Sequence, residues 1–341
     1  MHLCIFDARK PALTAFQERP MSQQLPTVHI LYENPAWLPP LTEALEAEGF
    51  PVRLVPIDSG LLDPSQEPPA GLWINRISPS SHTRGHNHSV GLTREILAWL
   101  RAHRCRVING LDAFELEMSK LRQDIALRRH GILTPKTLLA VGKEKIIEAA
   151  KRIDGPFITK HNQGGKGLGI QLFQNIDGLR TYLDSDAYDE GPDGKIILQQ
   201  YIEPVDGHIT RVELVGGQFL FAMNSATDGG FELCPSDACQ LPAAAPDVCP
   251  AEGSASKFSA ANIEASDPLV KKYLRLCALE GIEVAGIEFI TAADGQRYTY
   301  DINGTTNYSG VLAKQTGVHG MQAFARYVRS MAGCASLERV A

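Results

Sequence analysis

The sequence predicts a mixed α/β and α+β fold, with an open α/β domain at the N-terminal end and compact α+β modules behind it. Three stretches predict it. VHILYEN, PPLTEALEAEGF and PVRLVPID follow one another as strand, helix and strand, the repeating unit of a parallel sheet. PFITKHNQGGKGLGIQLFQ (156–174) reads as strand, glycine-rich turn and strand, and VAGIEFITAADGQRYTYDIN as a hairpin folded about Asp294-Gly295.

At 341 residues the chain is too long for one simple core, so two or three domains with room for a cleft are expected. The divisions fall at an N-terminal extension (1–24), the open α/β domain (25–118), a module carrying the glycine hairpin (119–202), a unit carrying the acidic hairpin (203–330) and a tail (331–341). Met21 is a candidate functional start. A composition 44% hydrophobic and 21% charged is that of a soluble globular protein. With a net charge of −6 and no basic block interleaved with aromatics, a nucleic-acid partner is not expected. No apolar run reaches membrane-spanning length and the first residues lack a secretory pattern. Seven irregularly spaced cysteines argue against a disulfide framework and for a reducing cytoplasm. Cys234, Cys239 and Cys249 cluster, but at spacings that match no zinc knuckle.

In chain order, the first helix stops near Gly49, GLWINRI (71–77) is a third strand, GLTREILAWLRAH a helix and CRVING a fourth strand. Ligands of such open sheets sit beyond the carboxyl ends of the strands. The loop at one such end contains Arg76, His82, Arg84, His86 and His88. The plain reading is a solvated loop. The sharper one is carboxylate recognition by Arg76 and Arg84, since guanidinium groups match carboxylates bidentately. The three histidines do not by themselves preorganise a metal site.

DAFELEMSKLRQDIALRR (112–129) reads as one helix, ended by Gly131 and Pro135. Lys120 within it is either solvated or a second cation reaching a phosphate. TPKTLLA reads as a strand, 143–152 and 176–187 as helices, and KIILQQYI (195–202) as a strand. Between the strands of the first hairpin lie Gly164, Gly165, Gly167 and Gly169, with Lys166 among them. No helix opens after these glycines and no Ser or Thr follows Lys166, which removes the dinucleotide fingerprint and the P-loop. What remains is a surface hairpin, or a flap whose N–H groups cover a polyphosphate while Lys160 neutralises it. Gln200, Tyr201 and Ile202 form a candidate backbone hinge for the base. TRVELVGGQFLFAMN is a hairpin about Gly216-Gly217, and 226–258 is a loop of the length that binding loops have.

ASDPLVKKYLRLCALEG is a helix capped by Ser266 or Asp267 and stopped by Gly281. A symmetric turn at Asp294-Gly295 sets Glu288 opposite Asp301. Ile287, Phe289, Tyr300 and Ile302 then share an apolar face, and Glu288, Asp301 and Asn303 the other. Facing carboxylates repel unless something positive lies between them. The set is either a tolerated acidic face or a Mg²⁺ site, since magnesium takes one or two carboxylates together with substrate phosphates.

NGLDAFELEMSKLRQDIALRRHGILTPKT, PFITKHNQGGKGLGI, and GIEFI with YTYDINGTTNYSG, in that order, resemble the ATP-grasp superfamily. Within it they are most similar to the RimK-like carboxylate–amine ligases, and the resemblance runs from Val28 to Gly320. It implies an ATP-grasp fold preceded by an open α/β domain. Lys120 and Lys160 would hold ATP phosphates under the lid of Gly164, Gly165, Lys166, Gly167 and Gly169. Gln200, Tyr201 and Ile202 would be the hinge, and Glu288, Asp301 and Asn303 would be ligands of Mg²⁺, with Mn²⁺ as an alternative. Arg211 would contact the reacting phosphoryl group, making it and Lys160 the catalytic pair. Two departures stand out. Ile209 sits where relatives often place a ribose-binding Asp, which leaves Asp206 or Glu203, and Gly304-Thr305-Thr306-Asn307-Tyr308 replaces a Pro-Gly turn.

The resemblance implies activation of a small-molecule or peptide carboxylate as an acyl phosphate and attack by an amine acceptor; Arg76, Arg84 and Asn307 are the candidate substrate contacts of this chain. It leaves a homo-oligomer open. The competing readings are a small-molecule kinase using the same ATP site and an ATP-binding regulatory protein without turnover.

Overall fold

The computed structural model describes residues 25–165, 167, 169–227, 258–308 and 310–335. The expectations for 1–24, Lys166, the three clustered cysteines and 336–341 lie outside the described residues.

The first unit is a parallel sheet of β1 (Val28–Tyr32), β2 (Val52–Pro56), β3 (Leu72–Arg76) and β4 (Arg106–Ile108), in the order β2-β1-β3-β4. β3 is buried throughout and β1 along all but its last residue, as apolar runs covered on both faces must be. α1 (Pro39–Ala47) covers one face and α2 (Ser89–Ala102) the other. The face under α1 also takes Met321, Phe324, Ala325 and Val328 of α9 (Gly320–Ala335). The last helix therefore continues through the expected boundary at 330 and returns to the first sheet. Complete burial of Phe324 and Val328 stabilises that return by about 1.5–3 kcal/mol each.

The single helix expected over 112–129 is two, α3 (Leu111–Glu117) and α4 (Lys120–Arg129). Ser119 breaks it: its backbone is extended and its Oγ accepts from Arg122 N at 3.3 Å, an N-cap that places Lys120 first in the new helix.

A second, antiparallel sheet comprises β5 (Thr137–Ala140), β6 (Phe157–His161), β7 (Gln171–Phe173) and β8 (Ile196–Gln200), ordered β5-β8-β6-β7. α5 (Lys143–Ala150) and α6 (Ile176–Leu183) pack on it. β8 ends at Gln200, leaving Tyr201 and Ile202 outside the strand.

The third sheet is ordered β11-β10-β9-β12-β13 and is antiparallel: β9 (His208–Val215), β10 (Gln218–Ala226), β11 (Phe258–Ala260), β12 (Val284–Thr291) and β13 (Arg297–Asn303). Gly216 and Gly217 have φ of 58° and 73°, as a primed two-residue turn requires. α7 (Pro268–Glu280) is capped by Asp267, whose carboxylate accepts from Leu269 N at 2.8 Å, and α8 (Gly310–Thr316) precedes α9. Among the described residues no helix is long and apolar enough to cross a membrane.

Candidate active site

The hairpin β12–β13 pairs Glu288 with Asp301 as expected, but by a different route. Its turn closes between Ala292 and Gln296, one residue off the symmetric register, and Thr291 faces Arg297. A bulge then inserts Tyr300, because Glu288 pairs with Asp301 while Phe289 pairs with Thr299. The two offsets cancel at the carboxylates. They correct the expectation for Tyr300: Thr299 points into the core and meets Tyr273 Oη at 2.6 Å, while Tyr300 turns to the acidic face and donates to Glu288 Oε2 at 3.2 Å.

This face opens on a cleft of about 900 Å³ of empty space, mouth included. Glu288, Asp301 and Asn303 line it from the third sheet, Lys160, Gly164, Gly165 and Gly167 from the second, and Lys120, Arg211 and Asn307 also reach it. Two groups from distant parts of the chain thus share one cavity. The positive charge that the facing carboxylates demand comes from the protein itself. Lys120 Nζ pairs with Asp301, and Arg211 Nη1 donates to Glu288 Oε1 at 2.8 Å. Asn303 Nδ2 stands 3.5 Å from Glu288 Oε1.

Burial would raise the Asp301 carboxyl, but Lys120 and Lys160 hold it below its ordinary value. Burial raises Glu288, with Asp301 adding to the rise and Arg211 opposing it. Burial brings the Lys160 ammonium down to about 8 against the pull of Asp301. Its Nζ donates to Gln199 Oε1 at 3.0 Å and lies 5.5 Å from the Tyr300 ring centroid. Burial would lower Arg211, but Glu213 and Glu288 hold it above its ordinary value.

Lys120 is placed by its helix start. Its backbone N–H donates to Asn162 O at 3.0 Å, and Asn162 Oδ1 accepts from Ser119 Oγ and Leu121 N. The third sheet is fixed on either side of Asn303. Gln123 exchanges both hydrogen bonds with the Ile302 backbone, and Asn109 Nδ2 donates to Gly304 O at 3.0 Å. Glu117 accepts from Thr305 N at 2.8 Å and, buried in the cleft wall, is pushed up to about 7.

Several expected site residues lie elsewhere. Arg76 is buried behind the wall, donating to Thr306 O at 2.8 Å and Asn307 Oδ1 at 2.6 Å, so it shapes the 305–307 loop. Arg84 forks onto Glu33, with Nη2 to Oε1 at 2.6 Å, and stacks 4.8 Å from the Trp37 ring centroid. Both arginines are consumed by internal partners. Gly169 backs onto His161 rather than the cleft: a Cβ there would lie 2.9 Å from the ring. Gln200 N and Tyr201 N donate to Lys136 O and Pro156 O, and neither these residues nor Ile202 line the cleft. Asp206 caps its own turn through His208 N, and Glu203 is exposed. His82, His86 and His88 form no metal-holding group with other His, Cys, Asp or Glu among the described residues.

Sequence reasoning missed Glu117, Tyr300, Glu213, Thr306 and Trp37. Only the spacing of Arg211 and Glu213, two apart on one strand, was a readable signal that both share a face.

Comparison with known proteins bears on the fold that carries this site. Residues 118–234 match the RimK-like ATP-grasp domain. A probable alpha-L-glutamate ligase of Vibrio atlanticus is 30% identical over 126 residues, 36% of this chain and 41% of the relative. One of Shewanella loihica is 25% identical over 259 residues, 72% of this chain and 85% of the relative. The chain spans only 22–41% of the length of the first three curated relatives it matches. Among solved structures, D-cycloserine synthetase superposes with a TM-score of 0.63 at 16% identity, covering 90% of this chain and 99% of that one. A RimK domain protein of Sphaerobacter thermophilus gives 0.61 at 17% identity, covering 88% and 98%. The chain therefore has the ATP-grasp fold, and residues 118–234 within it are similar to the RimK-like ATP-grasp domain.

Proposed function

We infer that the protein is an ATP-dependent carboxylate–amine ligase, joining a small-molecule or peptide carboxylate to an amine through an acyl phosphate and releasing ADP and phosphate. The observation that carries this reading is the single cleft in which Lys120, Lys160 and Arg211 face Glu288, Asp301 and Asn303 beneath a glycine loop. The relatives named as glutamate ligases and the ATP-grasp ligase PsnB, solved with Mg and ADP at a TM-score of 0.58 and 15% identity, support it.

The donor set fits a hard divalent ion: two carboxylates and an amide oxygen on one strand pair. Glu288, Asp301 and Asn303 would hold Mg²⁺, or Mn²⁺ in its place, which supplies charge neutralisation to the bridging phosphates. Lys120 and Arg211 then exchange their carboxylate partners for phosphate oxygens, and Lys160 adds a desolvated ammonium beside them. Their work is positioning and electrostatic stabilisation of the moving phosphoryl group. The glycine flap closes over the nucleotide. With Arg76 and Arg84 committed internally, Asn307 remains as the first-choice contact to the substrates.

The test is to mix the protein with ATP, Mg²⁺ and pools of acids and amines, following ADP and product mass together. ADP release that needs both pools, with a product one water lighter than the reactants, supports ligation. A stable phosphorylated product makes the protein a kinase, and nucleotide binding without turnover on any pool makes it a binding protein.

A further inference from the structure

Arg211 is held by more than its metal-side partner. On β9 it stands two residues before Glu213. In the register of β9 on β12, Glu288 faces Arg211 and Gly286 faces Glu213, with the Val212–Ile287 pair between them, so these four positions share one face on alternate rungs. The guanidinium lies along that face over Gly286, where a Cβ would stand 2.1 Å from Nη2. Only glycine leaves room for it. Nε donates to Glu213 Oε1 at 2.6 Å and Nη2 to Thr306 Oγ1 at 2.8 Å. The Thr306 hydroxyl donates in turn to Glu213 Oε2 at 3.0 Å, the carboxylate that fixes Nε. Glu213 is 0% exposed and Thr306 1%, and neither lines the cleft that Arg211 enters.

We propose that Glu213 and Thr306 are positioning residues that, over the floor left by Gly286, aim the Arg211 guanidinium at the γ-phosphoryl group. This rests on the reading of the cleft as an ATP site. The physical need is clear: an arginine paired only with Glu288 would follow that carboxylate when a cation or nucleotide displaces it. Glu213 keeps Nε fixed and Thr306 keeps Nη2 fixed while Nη1 changes partner. Thr306 belongs to the Gly304–Tyr308 segment, whose backbone is in turn pinned by Arg76 and Glu117. The first domain is thereby tied to the aim of a residue in the third sheet.

Calorimetric titration with Mg·AMPPNP and with Mg·ADP tests this without any knowledge of the acid or amine. Thr306→Val, which exchanges one oxygen for one methyl, and Glu213→Gln should each weaken Mg·AMPPNP about 10-fold while leaving Mg·ADP unchanged. Thr306→Ser should restore the lost affinity. Equal loss for both nucleotides, or a Thr306→Ser protein as weak as Thr306→Val, would reduce the pair to ordinary packing residues and overturn the proposal. Arg211→Ala separates the two levels. If it leaves Mg·AMPPNP affinity intact, the phosphoryl role of Arg211 falls, and the cradle with it. If it weakens Mg·AMPPNP while Thr306→Val and Glu213→Gln bind normally, only the cradle falls. Thr306→Val carries the test if Glu213→Gln does not fold.

Discussion

The sheet that carries Lys160 and the sheet that carries Asp301 are anchored in opposite ways. The second sheet has a core of its own, from Ala140 to Leu198, with no residue from outside its module. The third sheet shares its cores. Val212, Ile287 and Phe289 pack with Ala113, Leu116 and Leu127, and Val215 and Val284 pack into the first sheet's core. The buried polar groups follow the same division, with Asn109, Glu117 and Gln123 all gripping residues 302–305. The third sheet is thus fixed to the first unit and to α3 and α4, while the second sheet joins the rest through links such as Ser119 and Lys120 to Asn162 and Thr299 N to Leu133 O. An element with its own core and few links is one that moves as a body. On the proposed reading, this difference would give preorganisation to the carboxylates and closure to the glycine flap.

The largest expected effect is on catalysis from the fixed side. Asp301→Ala should lower turnover by about 100- to 1,000-fold while thermal unfolding stays cooperative, because it removes a charge and not a packing residue. Normal turnover would remove Asp301 from the site. Asn109→Ala comes next. Asn109 holds the left-handed region at φ 51° and bonds to Glu283 N, Val284 N, Val284 O and Gly304 O, so its loss should cost about 3 kcal/mol in denaturant unfolding. A matching cost from Ile146→Ala in the lid core should leave hydrogen exchange of the third sheet unchanged, and spreading of that loss would mean that the two sheets are one body.

How much of this was legible depends on range. The Asp267 helix cap and the Gly216-Gly217 turn follow from local pattern, and the Glu288–Asp301 pairing comes out of a count from the turn only because two offsets cancel. Tyr300 was misplaced because two one-residue offsets, in the turn and in the bulge, cancel at Asp301 and are invisible to any count outward from the turn. Arg76 and Arg84 looked like substrate cations because their partners, Thr306, Asn307 and Glu33, lie 51 to 231 residues away. Glu117 reads as one more helical acid. Only the fold brings Thr305 over it.

The smallest effect is on the pH dependence of folding. Burial lifts the Glu117 carboxyl from 4.5 to about 7, so the folded chain keeps a proton that the unfolded chain releases in this window. Stability should therefore fall as pH climbs from about 4.5 to 7 and level off above it, and Glu117→Gln should remove that slope. A slope of the same size in the variant would assign it to another group.

The central claim is that one nucleotide is gripped from both sheets at once, and titration of Mg·ADP into the protein, Lys160→Ala and Asp301→Ala tests it most directly. The account predicts that each variant weakens binding at least about 10-fold, since each loses a charge-assisted contact to the same ligand. Binding as tight as that of the unaltered protein in either variant would contradict it.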